Sequence, residues 1–308
     1  MATAGHEVVV DGKTIRVTNL DKVLYPATGF TKGQVIEYYQ RIAPVMLPHI
    51  SARAVTLKRC PDGVEAEPFF SKNCPPHRPS WIRTVRVPAS NARGEVNYCV
   101  ANDTATLVWF ANLAAIELHV CLAHVEDVRR PTSVVFDLDP GAPATLVECA
   151  RVALRIREIC RRMGLETVAK VSGSKGLHIY IPLNTPVTYA QTMPWAHSMA
   201  EVLVRQEPDL VISEMARSLR PGRVFVDWSQ NDEHKTTVCA YSLRGKSEPS
   251  VSAPVRWEEI EAVAKGKKKE LSFTPEETLA RVAQDGDLFE GNVTLRQHLP
   301  DIGALVAA

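Results

Sequence analysis

The chain has 308 residues, 45% of them hydrophobic and 23% charged, with a formal net charge of +1. These ordinary globular proportions suffice for one large domain or two moderate ones, and no apolar run is long enough to span a bilayer. Bulk charge does not mark a nucleic-acid binder, so any phosphate-binding surface must be a local concentration of Lys and Arg. With no basic segment and apolar core opening the chain, a soluble cytoplasmic protein with no membrane contact is the expectation.

Taken in order, residues 7–17 alternate weakly about Asp11-Gly12 and predict a hairpin. Thr31-Lys32-Gly33-Gln34 has capping-box form and opens a helix with Val35, Tyr38, Ile42 and Val45 on one face. Residues 51–99 read as short strands, because Pro61, Pro68, Pro75, Pro76 and Pro79 limit helix. Asn102 or Asp103 caps a second helix running to about Leu118, with Leu107, Phe110, Leu113 and Ala114 on its apolar side. Val134-Val135-Phe136-Asp137-Leu138-Asp139 then forms a strand stopped by Pro140-Gly141.

A long helix over 144–163, ended by Gly164, leads to a strand at 167–171. The loop Ser172-Gly173-Ser174-Lys175-Gly176 and an alternating strand at 177–181 follow. A helix over 189–205 is kinked or started by Pro194, and a strand spans 223–228. The tail holds a solvated lysine loop at 265–269 and a short helix near 275–283. Strands and helices interleave without a regular βαβ rhythm, which favours an α+β fold with a largely antiparallel catalytic sheet. The seven cysteines, Cys60, Cys74, Cys99, Cys121, Cys149, Cys160 and Cys239, show no paired spacing and read as free thiols in a reducing compartment. Cys74-Pro-Pro-His77 has a zinc-like local spacing without a second matching pair.

The chemistry centres on the acidic strand. Period two sends Asp137 and Asp139 to one side, about 7 Å apart, and Phe136 and Leu138 to the other. Carboxylates that close repel unless a cation or proton intervenes, so the pair is a candidate Mg²⁺ or Mn²⁺ platform. An acidic turn facing water is the alternative these residues leave open. Asp227 is the natural third acid, sharing a face with Phe225 and Ser229. Beside the first two it would complete a site for two cations about 3.5–4 Å apart, of the kind used in phosphoryl transfer. In the Ser172–Gly176 loop, glycine lets backbone N–H groups approach phosphate and Lys175 adds charge. It is not a Walker loop, because a strand follows and no Ser or Thr succeeds the lysine. His178 and Tyr180 project together on what reads as the outer face. Arg217, Arg220, Arg223 and Arg244 are further cations suited to a triphosphate.

Three motifs together carry a resemblance: Phe136-Asp137-Leu138-Asp139-Pro140-Gly141, Ser172-Gly173-Ser174-Lys175-Gly176-Leu177-His178 and Val224-Phe225-Val226-Asp227-Trp228-Ser229-Gln230-Asn231. The chain resembles the polymerase domain of bacterial non-homologous end-joining ligase D, in the archaeo-eukaryotic primase superfamily. The similarity runs from Val17 to Asp287 and includes 21–29 and 241–245. Within that family the chain is most similar to the stand-alone primase-polymerases associated with ligase C. No nuclease or ligase module fits in what remains, so a stand-alone member is expected.

The resemblance implies a single primase-polymerase domain over 1–308. It would comprise an N-terminal α/β module with a DNA-binding surface over 1–125 and a catalytic module over 126–308. The latter would hold an RRM-like, largely antiparallel sheet flanked by helices. The implied activity is DNA-dependent nucleotidyl transfer to a DNA 3′-hydroxyl by two-metal catalysis with Mn²⁺ or Mg²⁺, two per site. Substrates would be NTPs or dNTPs, with ribonucleotides preferred. By position Asp137, Asp139 and Asp227 become metal ligands. Lys58, His119, Ser172, Lys175, Gly176, His178, Arg220, Gln230 and Arg244 surround the nucleotide. Lys22 and Lys32 match lysines that grip a 5′-phosphate, and Phe69 and Phe70 match an aromatic pair that stacks on the template.

The segment Asn91-Ala92-Arg93-Gly94-Glu95 and the link from His124 to Arg130 differ from the end-joining relatives, which favours short-gap filling in DNA repair. Gapped or nicked DNA with a 5′-phosphate is then the partner. DNA ligase C or D and Ku are candidates that no sequence motif identifies. Two other readings compete. Asp-x-Asp also marks metal-dependent phosphohydrolases of the haloacid-dehalogenase type, although Pro140-Gly141-Ala142 and the mid-chain position do not suit them. A non-catalytic DNA-end adaptor would have no evident use for three acids and a lysine loop.

Overall fold

The computed structural model describes residues 5–90 and 94–303. Two compact units emerge, and their boundaries interleave. The first contains the chain up to Cys121, with Thr236–Ser252 and Phe273–Gly286 returning to it. The second contains Leu122–Lys235, Ala253–Ser272 and the chain from Asp287. A division by sequence position alone would miss the two returning segments. Among the described residues no helix is long and apolar enough to cross a membrane.

In the first unit the hairpin expected at the N-terminus pairs His6–Val10 with Lys13–Val17. Asp11 and Gly12 both have positive φ, as a tight turn requires. Thr31 caps the Lys32–Ile50 helix through the reciprocal Thr31/Gln34 box. That helix buries Val35, Tyr39, Ile42 and Met46, and it packs on the short apolar helix Thr104–Asn112. Beneath lies a sheet in which Ala115–Val120 pairs antiparallel with Val55–Arg59, and Phe69–Ser71 pairs with the same Val55–Arg59 strand.

The second helix is shorter than its periodicity predicts. It ends at Asn112, and Ala114 takes φ +55 to reverse the chain. From Ala115 the ladder to Val55–Arg59 claims the backbone, so Leu118 sits in a strand. Tertiary pairing here overrides a continuous apolar run. The cysteine expectation also needs correction, because Cys74 and Cys99 form a disulfide, leaving Cys60, Cys121, Cys149, Cys160 and Cys239 as thiols. Cys74 is thereby removed as a zinc ligand.

The second unit is built on a six-stranded sheet. In spatial order the strands are Val211–Ile212, Val224–Asp227, Ser133–Pro140, Leu177–Pro182, Val168–Val171 and Pro254–Val255. Every pairing is antiparallel except that of Val211–Ile212 with Val224–Asp227. The largely antiparallel catalytic sheet expected from the sequence is therefore present. Helices Leu146–Arg162 and Tyr189–Gln206 pack against it. Thr145 and Glu148 form a capping box at the first, and Pro194 lies inside the second without ending it. Phe136, Leu138, Ile156, Ile159, Ile179, Trp195 and Met199 are all buried core.

Candidate active site

Strand register decides where the acids stand. Asp137 is the direct partner of Asp227 in one antiparallel ladder, and of His178 in the ladder on its other side. Asp139 is the partner of Phe225. Directly opposed residues share a face, so Asp137, Asp139, Asp227 and His178 all project from one side of the sheet. Opposed Cα atoms in such a ladder lie about 4.5–5.5 Å apart. Three strands thus deliver the side chains that the sequence motifs carry separately.

The carboxylates themselves are each turned to a protein partner. His178 Nε2 lies 3.2 Å from Asp137 Oδ1. Asp227 Oδ1 accepts from the Ser229 N–H at 2.9 Å and the Ser229 hydroxyl at 2.6 Å. Its other oxygen accepts from Gln230 Nε2 at 2.7 Å. Lys235 Nζ in turn donates to Ser229 Oγ. Among the described residues no three His, Cys, Asp or Glu side chains close on a common ion position in this arrangement. The donor set nonetheless fits a hard divalent cation: three carboxylates on one face of adjacent strands, one of them exposed at Asp139.

The Ser172–Gly176 loop is a hairpin turn joining antiparallel strands whose last pair is Val171 with Leu177. Ser172 Oγ accepts from the N–H groups of Ser174 and Gly176, both at 3.2 Å, so its hydroxyl shapes the turn. A Cβ on Gly176 would sit 1.8 Å from the Leu138 carbonyl oxygen. Only glycine lets the loop press against the backbone between Asp137 and Asp139. Lys175 is exposed. It borders a cleft of about 780 Å³ with Pro140, Thr145, Ser174, Gly176 and Lys269.

The outward face assigned to His178 and Tyr180 is covered, and both are buried. Tyr180 packs edge-on against Phe289 at 5.2 Å between centroids. Beside His178, on the adjacent strand, the fully buried Lys170 places Nζ 3.2 Å from His178 Nδ1. Lys170 went unnoticed in the sequence. Its signal is a lysine in an apolar strand, in register with His178. Arg220 lays its guanidinium 3.7 Å from the Phe225 ring centroid and donates from Nη2 to the Met215 carbonyl at 2.8 Å. Phe225 being opposite Asp139, this brings Arg220 to the acidic face. Arg217 is exposed and Arg223 half-buried.

Lys58, His119 and Arg244 belong to the first unit and gather around Glu117, a residue the sequence reading passed over. Glu117 Oε1 accepts from Lys58 Nζ at 2.8 Å and from the Gly245 N–H at 3.1 Å. Oε2 lies 3.0 Å from His119 Nε2 and 3.5 Å from Arg244 Nε. Burial alone would raise the Glu117 carboxyl. The His119 hydrogen bond, the Arg244 charge and the Lys58 hydrogen bond overcome it and hold the group well below the usual carboxylate range. Burial also lowers His119, against the pull of Glu117.

Lys22 and Lys32 are neighbours, as a shared phosphate site needs, and the Lys32 N–H donates to the Lys22 carbonyl at 2.8 Å. Lys32 is buried, with Nζ donating to the Thr18 carbonyl at 2.6 Å, and burial plus the Lys22 charge lower it to about 8. Phe69 and Phe70 are both exposed, but as successive strand residues they point to opposite sides. Arg59 lies over Phe69 at 5.0 Å, and Phe70 meets His119 edge-on at 5.8 Å.

The family model described as LigD, primase-polymerase domain, matches residues 31–289. The chain belongs to the LigD primase-polymerase domain family. Among solved structures, it is similar to the polymerase domain from Mycobacterium tuberculosis ligase D in complex with DNA. The two share 40% identity and a TM-score of 0.86, over 92% of this chain and 99% of that one. The multifunctional non-homologous end joining protein LigD of Mycolicibacterium smegmatis is 43% identical over 276 residues, 89% of this chain and 35% of that protein. The bifunctional LigD of Bacillus subtilis is 32% identical over 249 residues, 80% of this chain and 40% of that protein. The chain therefore spans about a third of the length of the mycobacterial LigD proteins it matches. All three acids, the loop and the Glu117 group lie inside the matched span, whereas Lys22 precedes it. Membership of the LigD primase-polymerase family displaces the phosphohydrolase reading of Asp-x-Asp.

Proposed function

We propose that this chain is a DNA-dependent primase-polymerase that extends a DNA 3′-hydroxyl, prefers ribonucleotides and fills short gaps bearing a 5′-phosphate. The observation that carries the reading is the register that sets Asp137 opposite Asp227 with the Gly176 turn against Leu138. In the reaction the 3′-oxygen bonds to the α-phosphorus of a nucleoside triphosphate, the bond to the bridging oxygen breaks, pyrophosphate leaves, and the hydroxyl proton passes to solvent. Asp137, Asp139 and Asp227 would hold Mn²⁺ or Mg²⁺, which when bound supplies charge to the attacking and leaving oxygens. His178 keeps Asp137 oriented, while Ser229 and Gln230 do the same for Asp227. Lys175 and Arg220 offer charge to phosphate, and Lys58, His119 and Arg244 bind the nucleotide. Phe69 and Phe70 offer stacking surface worth about 1–3 kcal/mol per base, and Lys22 with Lys32 receives the 5′-phosphate.

The relatives' names, which are those of non-homologous end joining proteins, favour a second role at double-strand ends, for which we infer a ligase and Ku as partners. Against that role stands the link from His124 to Arg130; Asn91, Ala92 and Arg93 lie outside the described residues. One assay tests both. Primer extension is measured with Mn²⁺ and each NTP and dNTP on a gapped duplex and on two 3′-overhanging ends. Faster extension on the phosphorylated gap is the expected result. Extension only on paired ends would overturn gap filling, and phosphate release from simple esters without DNA would overturn the polymerase reading.

A further inference from the structure

Glu117 is almost fully buried, yet it is the hub of two cationic side chains and an imidazole. Its place follows from register: Glu117 is the ladder partner of Lys58, and His119 lies two residues along the same strand. Arg244 and Gly245 reach it from the returning segment. A carboxylate offers about four lone-pair directions. Here each oxygen has two neighbours, Lys58 and Gly245 on Oε1, His119 and Arg244 on Oε2. Oε1 is filled by two hydrogen bonds and Oε2 by one, from His119, with Arg244 Nε an ion-pair neighbour at 3.5 Å, so Glu117 is enclosed by its own fold. Its neighbours are not saturated by it. Lys58 spends one of three N–H donors on Glu117 and Arg244 directs only Nε toward it, which leaves the guanidinium fork free of this contact. His119 also touches Phe70, so one imidazole joins the Glu117 group to an aromatic assigned to the template.

We propose that Glu117 is a positioning residue for nucleotide binding, fixing Lys58, His119 and Arg244 so that their outward donors form a ready-made receptor for a nucleoside triphosphate. The proposal rests on the reading of those three side chains as nucleotide contacts. Holding cations in place before the ligand arrives removes ordering cost from the binding step. The effect therefore falls on substrate affinity, while the chemical step at the acids continues.

The test compares Glu117→Gln with wild type in single-nucleotide extension on a gapped duplex with Mn²⁺. ATP binding to the same duplex ended in a dideoxynucleotide is measured in parallel. Glu117→Gln is expected to raise KM and the ATP dissociation constant about tenfold with kcat within about threefold, and gapped-DNA affinity unchanged. A folded Glu117→Gln protein with KM and ATP affinity within about twofold of wild type overturns the proposal. So does a loss confined to kcat. If Glu117→Gln does not fold, Glu117→Asp takes its place, keeping the charge but withdrawing it by one methylene, with the same outcomes deciding. Lys58→Met and Arg244→Met separate this proposal from the reading beneath it. If neither weakens ATP binding, the nucleotide assignment itself fails. If both weaken it and Glu117→Gln does not, only the positioning role fails.

Discussion

Asp137 faces Asp227 across an antiparallel ladder, with no intervening residue and no shift of register. Two carboxylates at that spacing repel, and the chain offsets this by setting His178 Nε2 3.2 Å from Asp137 Oδ1 and by giving Asp227 donors from Ser229 and Gln230. A divalent cation relieves it better. Asp137→Ala and Asp227→Ala are each expected to lower extension about a thousandfold or more with gapped-DNA binding retained. Mn²⁺ should raise the melting temperature of the wild type and not of Asp137→Ala, since only the former binds the ion in its folded state. Calorimetry with and without Mn²⁺ checks this. Equal shifts in the two proteins would remove Asp137 from the metal site.

Gly176 tests how tightly the loop is seated. Its Cβ position lies 1.8 Å from the Leu138 carbonyl oxygen, a backbone atom that cannot swing aside. Gly176→Ala should therefore destabilise the protein by about 3 kcal/mol and suppress extension. Gly245 is the control, for there an added Cβ meets Cys60 Sγ and Glu117 Oε1 at 3.6 Å, an ordinary contact. Gly245→Ala should change stability by no more than about 0.5 kcal/mol. Thermal unfolding of both variants decides; similar melting temperatures would mean that the loop can move away from Leu138.

Much of the acidic face was legible because strand patterning has period two. Alternation alone grouped Asp137 with Asp139 and aligned Asp227 with Phe225, and the ladder kept those groupings. What alternation cannot say is which face is covered. His178 and Tyr180 share a side as expected, yet Phe289 closes over it, a contact about 110 residues away in sequence. Glu117 was hidden for a related reason: an acid in Ala-Ile-Glu-Leu-His-Val looks like solvent-facing alternation until Lys58, Arg244 and Gly245 converge on it. The overlong second helix failed on competition, since the ladder to Val55–Arg59 stabilises strand from Ala115 onward. The disulfide failed on topology, because only the sheet brings Cys74 beside Cys99.

Lys32 carries a pH signature. Burial and the Lys22 charge lower it to about 8 from an ordinary lysine value, so the ammonium is mostly present at pH 7 and mostly lost by pH 9. For stability the sign is a penalty: holding the charged form costs the fold in full below pH 8, and the cost is relieved as pH climbs toward the unfolded value. For phosphate binding the sign is opposite, because the charge is the attractant. The preference for a 5′-phosphorylated gap over a 5′-hydroxyl gap should therefore fall about tenfold between pH 7 and 9.5. Lys32→Arg should flatten that profile, since guanidinium stays protonated throughout. Gel-shift titrations across this range decide, and a flat wild-type profile would remove Lys32 from the phosphate site.

Lys170 offers a test of how the acidic face is held from the next strand along. Its side chain is fully buried, and an ammonium has donors only. If Lys170 donates to His178 Nδ1 across the 3.2 Å between them, that nitrogen is the acceptor and the ring proton lies on Nε2, toward Asp137 Oδ1. Lys170→Met keeps a similar stem and removes the donor. The expected outcome is a folded protein in which His178 no longer favours the Nε2–H tautomer and extension falls about tenfold or more, through kcat rather than through gap binding. Nitrogen-15 spectra of the histidine rings, with His178→Gln to assign the signal, report the tautomer without turnover. If Lys170→Met leaves both the His178 signal and kcat as in the wild type, the lysine only fills space. A shifted signal with intact kcat would instead show that Asp137 needs no help from His178 to do its work.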